Sequence, residues 1–255
     1  DGPASMILDT GTGAHGLEFI SGGRFASLLD MPRLDVNSEI GDHRPGIAVV
    51  AGTEEMCNSA DDLFYLFLFF IWGGNQLYTQ IPNAHYFIEA RYNGAKIITI
   101  APDFSASAVH ADQWVPVKVG SDAALGLSMA QVMIEENIYK KRFIQEQSDL
   151  PLLRRVDNGR FLRESDVKAE GSNDIFYFHD LKSKQILAAS SNTLELGDLD
   201  PALEGEFEVD TLAGRIKVRP VFADLRDHLQ QYTPELASAI CGVDPETIRG
   251  LARDL

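Results

Sequence analysis

From Leu63 to Trp72 the chain reads LFYLFLFFIW, without one charged residue, and runs straight into Gly73, Gly74 and Asn75. The run is too short to cross a bilayer as a helix, which takes roughly 20 apolar residues. An uninterrupted apolar run that ends on glycines suits a strand buried on both faces of a parallel sheet. Asn83 to Tyr92 then reads as a helix, with Pro82 near its start and Gly94 just past its end. Lys96 to Ala101, KIITIA, is rich in β-branched residues and ends in turn chemistry at Pro102 and Asp103. Strand, helix, strand is a βαβ unit with a right-handed crossover. Ligands of such sheets sit beyond the carboxyl ends of the strands. The loops WGGNQLYT and APDFS are therefore the first candidates for a functional edge.

The pattern elsewhere extends this unit. Phe19 to Leu29 is helix-like, Ile47 to Ala51 reads as a short strand, and Glu54 to Asp62 as a loop or short helix. Val115 to Val119, VPVKV, predicts a third strand broken by Pro116. A helix follows from Ala123 to about Asn137, with Leu125, Met129, Val132 and Met133 at core-facing spacing. At its head, Gly120, Ser121 and Asp122 admit two readings: an N-cap, or a loop whose free N–H groups meet an anion or the polar edge of a nucleotide. From Tyr139 short alternating runs separated by turns such as Asp157-Asn158-Gly159 and Ala213-Gly214 predict β-hairpins. Helices return from Val221, the clearest start being Asp244-Pro245-Glu246. The chain thus divides into an α/β core over 1–138, a β-rich insertion over 139–220 and a helical segment over 221–255. The fold class is α/β, a Rossmann-like parallel sheet with flanking helices plus a small hairpin-rich insertion.

Composition narrows the chemistry. The 255 residues carry a net charge of -16, which argues against nucleic acid or an anionic membrane as partner. No transmembrane span or signal peptide is visible. The two cysteines, Cys57 and Cys241, form no CxxC pair, so a metal cluster held by this chain alone is not expected. None of the six histidines has a metal-binding spacing. Gly11, Gly13 and Gly16 match G-x-G-x-x-G, but no second strand ending in an acidic residue follows at the required distance. A tight glycine turn is the favoured reading there, with a nicotinamide site as the alternative. Asp42, within Gly41-Asp42-His43-Arg44-Pro45, reads by itself as a turn aspartate. The residues alone give an acidic α/β domain with a nucleotide-type site and no assigned catalytic group.

One ordered series of short motifs carries further. Trp72-Gly73-Gly74-Asn75, Ile81-Pro82-Asn83-Ala84-His85, Glu89-Ala90-Arg91-Tyr92, Ala101-Pro102-Asp103, His110-Ala111-Asp112 and Gly120-Ser121-Asp122-Ala123-Ala124-Leu125 resembles the molybdopterin oxidoreductases of the dimethyl sulfoxide reductase type. The order and spacing are those of the type II branch, which acts on nitrate, selenate, chlorate, perchlorate, dimethyl sulfide or ethylbenzene. Gln147 to Leu152 and Tyr232 to Glu235 continue the likeness. Gln76 stands where the family commonly has proline, and Ser121 where it commonly has threonine.

The resemblance implies a fragment of a molybdenum-dependent catalytic subunit carrying bis(molybdopterin guanine dinucleotide), inactive alone. It assigns cofactor contacts to Gly73, Gly74, Asn75 and Thr79, to Pro102, Asp103 and Phe104, and to Gly120, Ser121 and Asp122. These are the loops the sheet argument selects independently. Carboxylates at Asp103 or Asp122 suit guanine N–H groups or a ribose hydroxyl. The resemblance also makes Asp42 the molybdenum ligand, an oxygen donor suited to a high-valent metal. It further implies a [4Fe-4S] cluster in a preceding segment, a small-molecule substrate, an iron–sulfur partner subunit and a periplasmic location. The alternative function is a dinucleotide-binding scaffold that has lost the metal.

Overall fold

The computed structural model describes residues 2–9, 17–34, 45–51, 59–189 and 196–255. The chain forms two compact units, Asp1–Asp62 and Leu63–Leu255. Gly11, Gly13, Gly16, Asp42 and Cys57 lie outside the described residues.

The first unit contains α1 (Leu17–Leu28) and α2 (Pro45–Ala51). Ala26 of α1 is fully buried, and Leu8 joins Arg33 in an isolated parallel bridge. The strand expected over Ile47 to Ala51 is a helix instead. Pro45 occupies the first helical position, where its fixed φ is preorganised and its missing N–H is no loss. A helix also satisfies its backbone internally, whereas a strand needs a partner.

The second unit is built on a three-stranded parallel sheet of β1 (Leu68–Trp72), β2 (Lys96–Ile100) and β3 (Gln113–Val115), in that spatial order. Trp72 pairs with Ile100 and Ile100 with Val115, so the three strands end in one row. The connections run through α3 (Gln76–Thr79) and α4 (Ala84–Tyr92), then through α5 (Ala106–Val109). The apolar run expected to be one strand from Leu63 is shorter as a strand. Ala60–Tyr65 is a 3-10 helix, and Phe67 is 87% exposed. Pairing sets this length: β2 begins at Lys96, whose register partner is Leu68. The third strand, expected over Val115 to Val119, is Gln113–Val115 and ends where Pro116 follows.

Alternation along β1 and β2 sorts side chains to two faces. Phe69, Ile71 and Ile97 pack with Phe87 and Ala90 of α4. Ile98, Ile100 and Val115 pack on the opposite face with α6 (Asp122–Glu135), α10 (Pro234–Cys241) and α11 (Pro245–Asp254). Leu125, Met129 and Val132 supply the contribution of α6, as their spacing predicts. Cys241 is fully buried in this cluster, and its carbonyl accepts a hydrogen bond from the Lys118 N–H at 2.9 Å. Gly242 ends α10 in the left-handed region at φ 78°. Asp244 then caps α11 by accepting from the Glu246 N–H at 2.9 Å, with Pro245 in the first turn, as the sequence predicts. The Arg253 guanidinium fastens α11 to α6 through both oxygens of Glu136, at 2.8 and 2.6 Å.

Between α6 and α10 the chain makes α7 (Lys141–Gln147) and the hairpin-rich segment. β4 (Leu153–Arg155), β8 (Gly214–Pro220) and β7 (Phe207–Thr211) form an antiparallel sheet, while β5 (Phe176–Asp180) and β6 (Gln185–Ala189) form a hairpin. The single turn α8 (Glu164–Val167) joins β4 to β5. Leu153, Leu162, Tyr177, Val209 and Val218 are the core of this segment. β8 passes through Pro220 directly into α9 (Val221–Leu229), where Asp224 takes ion pairs from Arg154 and Arg219.

Asp180 closes the β5–β6 hairpin. It is 1% exposed, and its two carboxylate oxygens accept from the backbone N–H groups of Asp200 and Ser183, each at 2.8 Å. These bonds pull its pKa from 3.8 down to about 2, the Asp200 N–H contributing most. A depressed folded-state value means the stability is complete above 3.8 and is lost as pH falls through about 2. Asp180→Asn places an amide NH2 against one backbone donor. Thermal unfolding should show a lower Tm for the variant at neutral pH, with the gap narrowing as pH falls from 3.8 towards 2. A gap independent of pH over that interval would sink this account.

Candidate functional site

The common row in which β1, β2 and β3 end makes one edge of the sheet, and three loops leave it side by side. At the first, Gly73 takes φ +67°, a conformation L side chains rarely adopt, and its N–H donates to the Ile100 carbonyl at 2.9 Å. The chain is thus turned across the end of β2 before α3 begins. Asn75 precedes α3 without capping it. Its Oδ1 instead accepts from the Ser107 hydroxyl at 2.8 Å, joining the first loop to α5. With that oxygen engaged, the amide NH2 is the group Asn75 has to offer a ligand. Thr79 donates its hydroxyl to the Asn75 carbonyl at 3.1 Å within the same turn and keeps acceptor capacity.

The second loop begins at buried Ala101, whose carbonyl accepts from the Trp114 indole N–H at 3.0 Å. Pro102, Asp103 and Phe104 are exposed. Phe104 stands edge-on to Trp114, with ring centroids 5.2 Å apart. This contact braces the loop against β3 and leaves the Asp103 carboxylate on the surface.

The third loop turns at Gly120, φ +79°. Ser121 is 8% exposed, and both its hydroxyl and its N–H donate to the Lys118 carbonyl, at 2.6 and 3.1 Å. It sits at the N-cap position of α6, but its side chain makes no cap bond to the helix. The first-turn N–H groups therefore remain without a side-chain cap, and Asp122 supplies the negative charge favoured there. Asp122 Oδ1 accepts from the Trp72 indole N–H at 2.7 Å, which ties the third loop to the end of β1. A Cβ on Gly126, one turn further along α6, would lie 3.7 Å from the same indole ring.

The residues selected from sequence on these loops thus share one sheet edge and are cross-braced by direct contacts. The contacts named from sequence do not include the residues that do much of the bracing, Trp72, Ser107 and Trp114. Nor do they include two residues of the selected loops that are unsatisfied. Gln76 Oε1 and Ser105 Oγ are buried at this edge without a hydrogen-bond partner. Such groups are costly unless something polar meets them. One acceptor and one hydroxyl, beside the Asn75 amide and two backbone turns open to close approach, fit the polar edge of a nucleotide. A serine opening the turn after a buried strand was the available signal for Ser105. Among the described residues no group of three or more His, Cys, Asp or Glu converges to hold a metal ion. No helix among them is long and apolar enough to cross a membrane.

Comparison with known proteins gives a consistent result. The family model described as Molybdopterin oxidoreductase matches residues 9–235. The chain is 38% identical over 262 residues to the dimethylsulfide dehydrogenase subunit alpha of Rhodovulum sulfidophilum, covering 98% of this chain and 28% of that protein. It is 42% identical over 235 residues to the chlorate reductase subunit alpha of Ideonella dechloratans, covering 90% of this chain and 25% of that protein. The respiratory nitrate reductase subunit alpha of Haloferax mediterranei is 34% identical, covering 93% of this chain and 26% of that protein. The chain thus spans about a quarter of the length of these relatives. Among solved structures, acetylene hydratase from Pelobacter acetylenicus superposes with a TM-score of 0.56 at 18% identity, over 98% of this chain and 25% of that one, a likeness of fold.

The Trp72–Asp122 tie is testable by itself. Asp122→Ala removes a hydrogen bond to a charged acceptor and a carboxylate at a helix start, and should cost about 1 kcal/mol in urea unfolding. Asp122→Asn keeps an acceptor for the indole and should recover part of the loss. Equal stability of wild type and the alanine variant would show that the tie contributes nothing.

Proposed function

The chain belongs to the molybdopterin oxidoreductase family, and on that premise we propose that it is part of the catalytic alpha subunit of an enzyme using molybdenum bis(molybdopterin guanine dinucleotide). The observation that carries the proposal is the family match over residues 9–235, which includes all three loops at the braced sheet edge. When bound, the cofactor supplies two-electron chemistry, namely oxygen-atom transfer to or from a substrate or hydroxylation with water. The protein's own part is placement and electrostatics.

In this reading residues 1–138 contribute part of the dinucleotide-binding core, 139–220 an insertion, and 221–255 a helical segment. Gly73 and Gly74 let the backbone come close to the dinucleotide, and the Asn75 amide donates to it. Thr79, Pro102, Phe104, Gly120 and Ser121 complete the contact surface. Asp103, exposed on its braced loop, accepts hydrogen bonds from guanine or ribose. Asp122 shares that task through the carboxylate oxygen the Trp72 indole leaves free. The buried Gln76 and Ser105 atoms that lack partners support a polar ligand at this edge. Asp42 is the molybdenum ligand in this proposal, and rests on the family resemblance of its sequence setting.

The substrate class is an oxyanion or a small organic molecule, in keeping with the names of the alpha-subunit relatives. Electrons are exchanged with iron–sulfur clusters, one of them a [4Fe-4S] cluster of the same polypeptide and others in an iron–sulfur partner subunit. The proposed location is periplasmic.

The test is made on the full-length protein, purified without oxygen from a host that makes the cofactor, beside its Asp42→Ala variant. About one molybdenum and about two guanosine monophosphates should be released per chain of the wild type. The variant should retain the nucleotide and lose activity. Neither metal nor nucleotide in a well-folded preparation would replace this reading with that of a dinucleotide-binding scaffold.

A further inference from the structure

The hairpin-rich segment holds a second, independent concentration of chemistry. A hollow of about 620 Å³ opens between the turn after β4 and the one-turn helix α8. Three arginines, Arg155, Arg160 and Arg163, face it, in a chain whose net charge is -16. Arg155 is more than neutralised, since its one guanidinium pairs with two carboxylates, Asp157 and Asp166. Among the described residues neither Arg160 nor Arg163 pairs with a carboxylate. Arg163 is nonetheless fixed in place. Its Nη1 donates to the Asn173 carbonyl at 2.8 Å, and its guanidinium carbon lies 5.3 Å from the centre of the Phe176 ring.

The hydrogen-bond inventory of the hollow is lopsided. Asp166 uses one oxygen on Arg155 and the other on the Arg163 backbone N–H at 2.9 Å. Asn158 Oδ1 accepts from the Arg160 N–H at 3.0 Å, and Asn173 Oδ1 from the Ser165 hydroxyl at 2.6 Å. Each of these side-chain acceptors is already engaged once. The groups left without any partner are donors: the Arg160 guanidinium, the other N–H groups of Arg163, and the NH2 groups of Asn158 and Asn173. A concave site rich in donors, in which two guanidiniums pair with no carboxylate and the three arginines outweigh the Asp157 and Asp166 carboxylates by one charge, selects an anionic ligand made of acceptors.

We propose that this hollow binds a small multivalent oxyanion of the phosphate class. A single carboxylate has one charge and two oxygens, and leaves part of the donor set unmet. A diphosphate carries enough oxygens for both guanidiniums and both amides, and arginine forks match such groups in pairs. The volume leaves room for an organic portion beside half-buried Phe161, which also lines the hollow. The site is separate from the sheet edge discussed above, and the inference stands whether or not that edge holds a dinucleotide.

The experiment is calorimetric titration of the full-length holoprotein with inorganic pyrophosphate, inorganic phosphate, nitrate and a short polyglutamate peptide. Pyrophosphate should bind saturably and more tightly than phosphate, with nitrate giving no saturable heat. Arg160 is exposed and its side chain holds no other element, so Arg160→Gln should fold normally and weaken pyrophosphate binding about tenfold, and Arg160→Glu should abolish it. Arg215→Gln, at an exposed arginine on β8 paired with Glu208, is the control for general loss of charge and should leave binding unchanged. No saturable binding of pyrophosphate, equal weakening by Arg160→Gln and Arg215→Gln, or binding of polyglutamate alone would each overturn the proposal.

Discussion

The alignment of Trp72, Ile100 and Val115 across the parallel sheet is the constraint on which the candidate site depends. Because the strands end together, the three following loops start from one line and can reach one another. Hydrogen bonding fixes the alignment, and burial makes it hard to change. A slip of one residue in β2 would turn Ile98 and Ile100 away from α6 and bring Ile97 in their place. Such a slip would also dissolve the bond from the Gly73 N–H to the Ile100 carbonyl, which turns the first loop over the end of β2. Core packing and site geometry therefore rest on the same pairing.

α6 carries this arrangement into the rest of the second unit. Its first residue meets Trp72 at the sheet edge, its middle fills the core, and its C-terminal end holds α11 through Glu136 and Arg253. α10 adds a bond of its own to the loop after β3, from Lys118 to the Cys241 carbonyl. The hairpin-rich segment leaves after α6 and returns at α9, so the core on either side of it is closed by contacts between residues far apart in sequence. Its own cluster of apolar residues lets it form a second core without interrupting the first.

Much of this was legible in the sequence because the signals were local. The β-branched run at Lys96, the spacing of Leu125, Met129 and Val132, the Asp244-Pro245 start and the glycine-terminated first strand each state their structure in a few residues. The three loops followed from the parallel topology, and all three lie within the residues the family model matches. The failures were of two kinds. Strand lengths depended on partners: the apolar run from Leu63 outlasts its neighbour, and the strand expected over Val115 to Val119 pairs with β2 only over Gln113–Val115. Side-chain bracing depended on contacts across the fold: nothing near Trp72 in sequence announces Asp122, and nothing near Asn75 announces Ser107. Ile47 to Ala51 shows a third source of error, in which a short β-branched stretch follows the helical bias of Pro45 instead.

The burial of Cys241 has a consequence for how this fold opens. Its thiol lies in the layer between the sheet and α10, where a reagent in solvent cannot reach it while the helix is seated. Its chemical reactivity in the native protein is therefore governed by a mechanical event, the lifting of α10 from the strands, and only secondarily by the nucleophilicity of sulfur. The residue is a built-in recorder of how often that seam breathes.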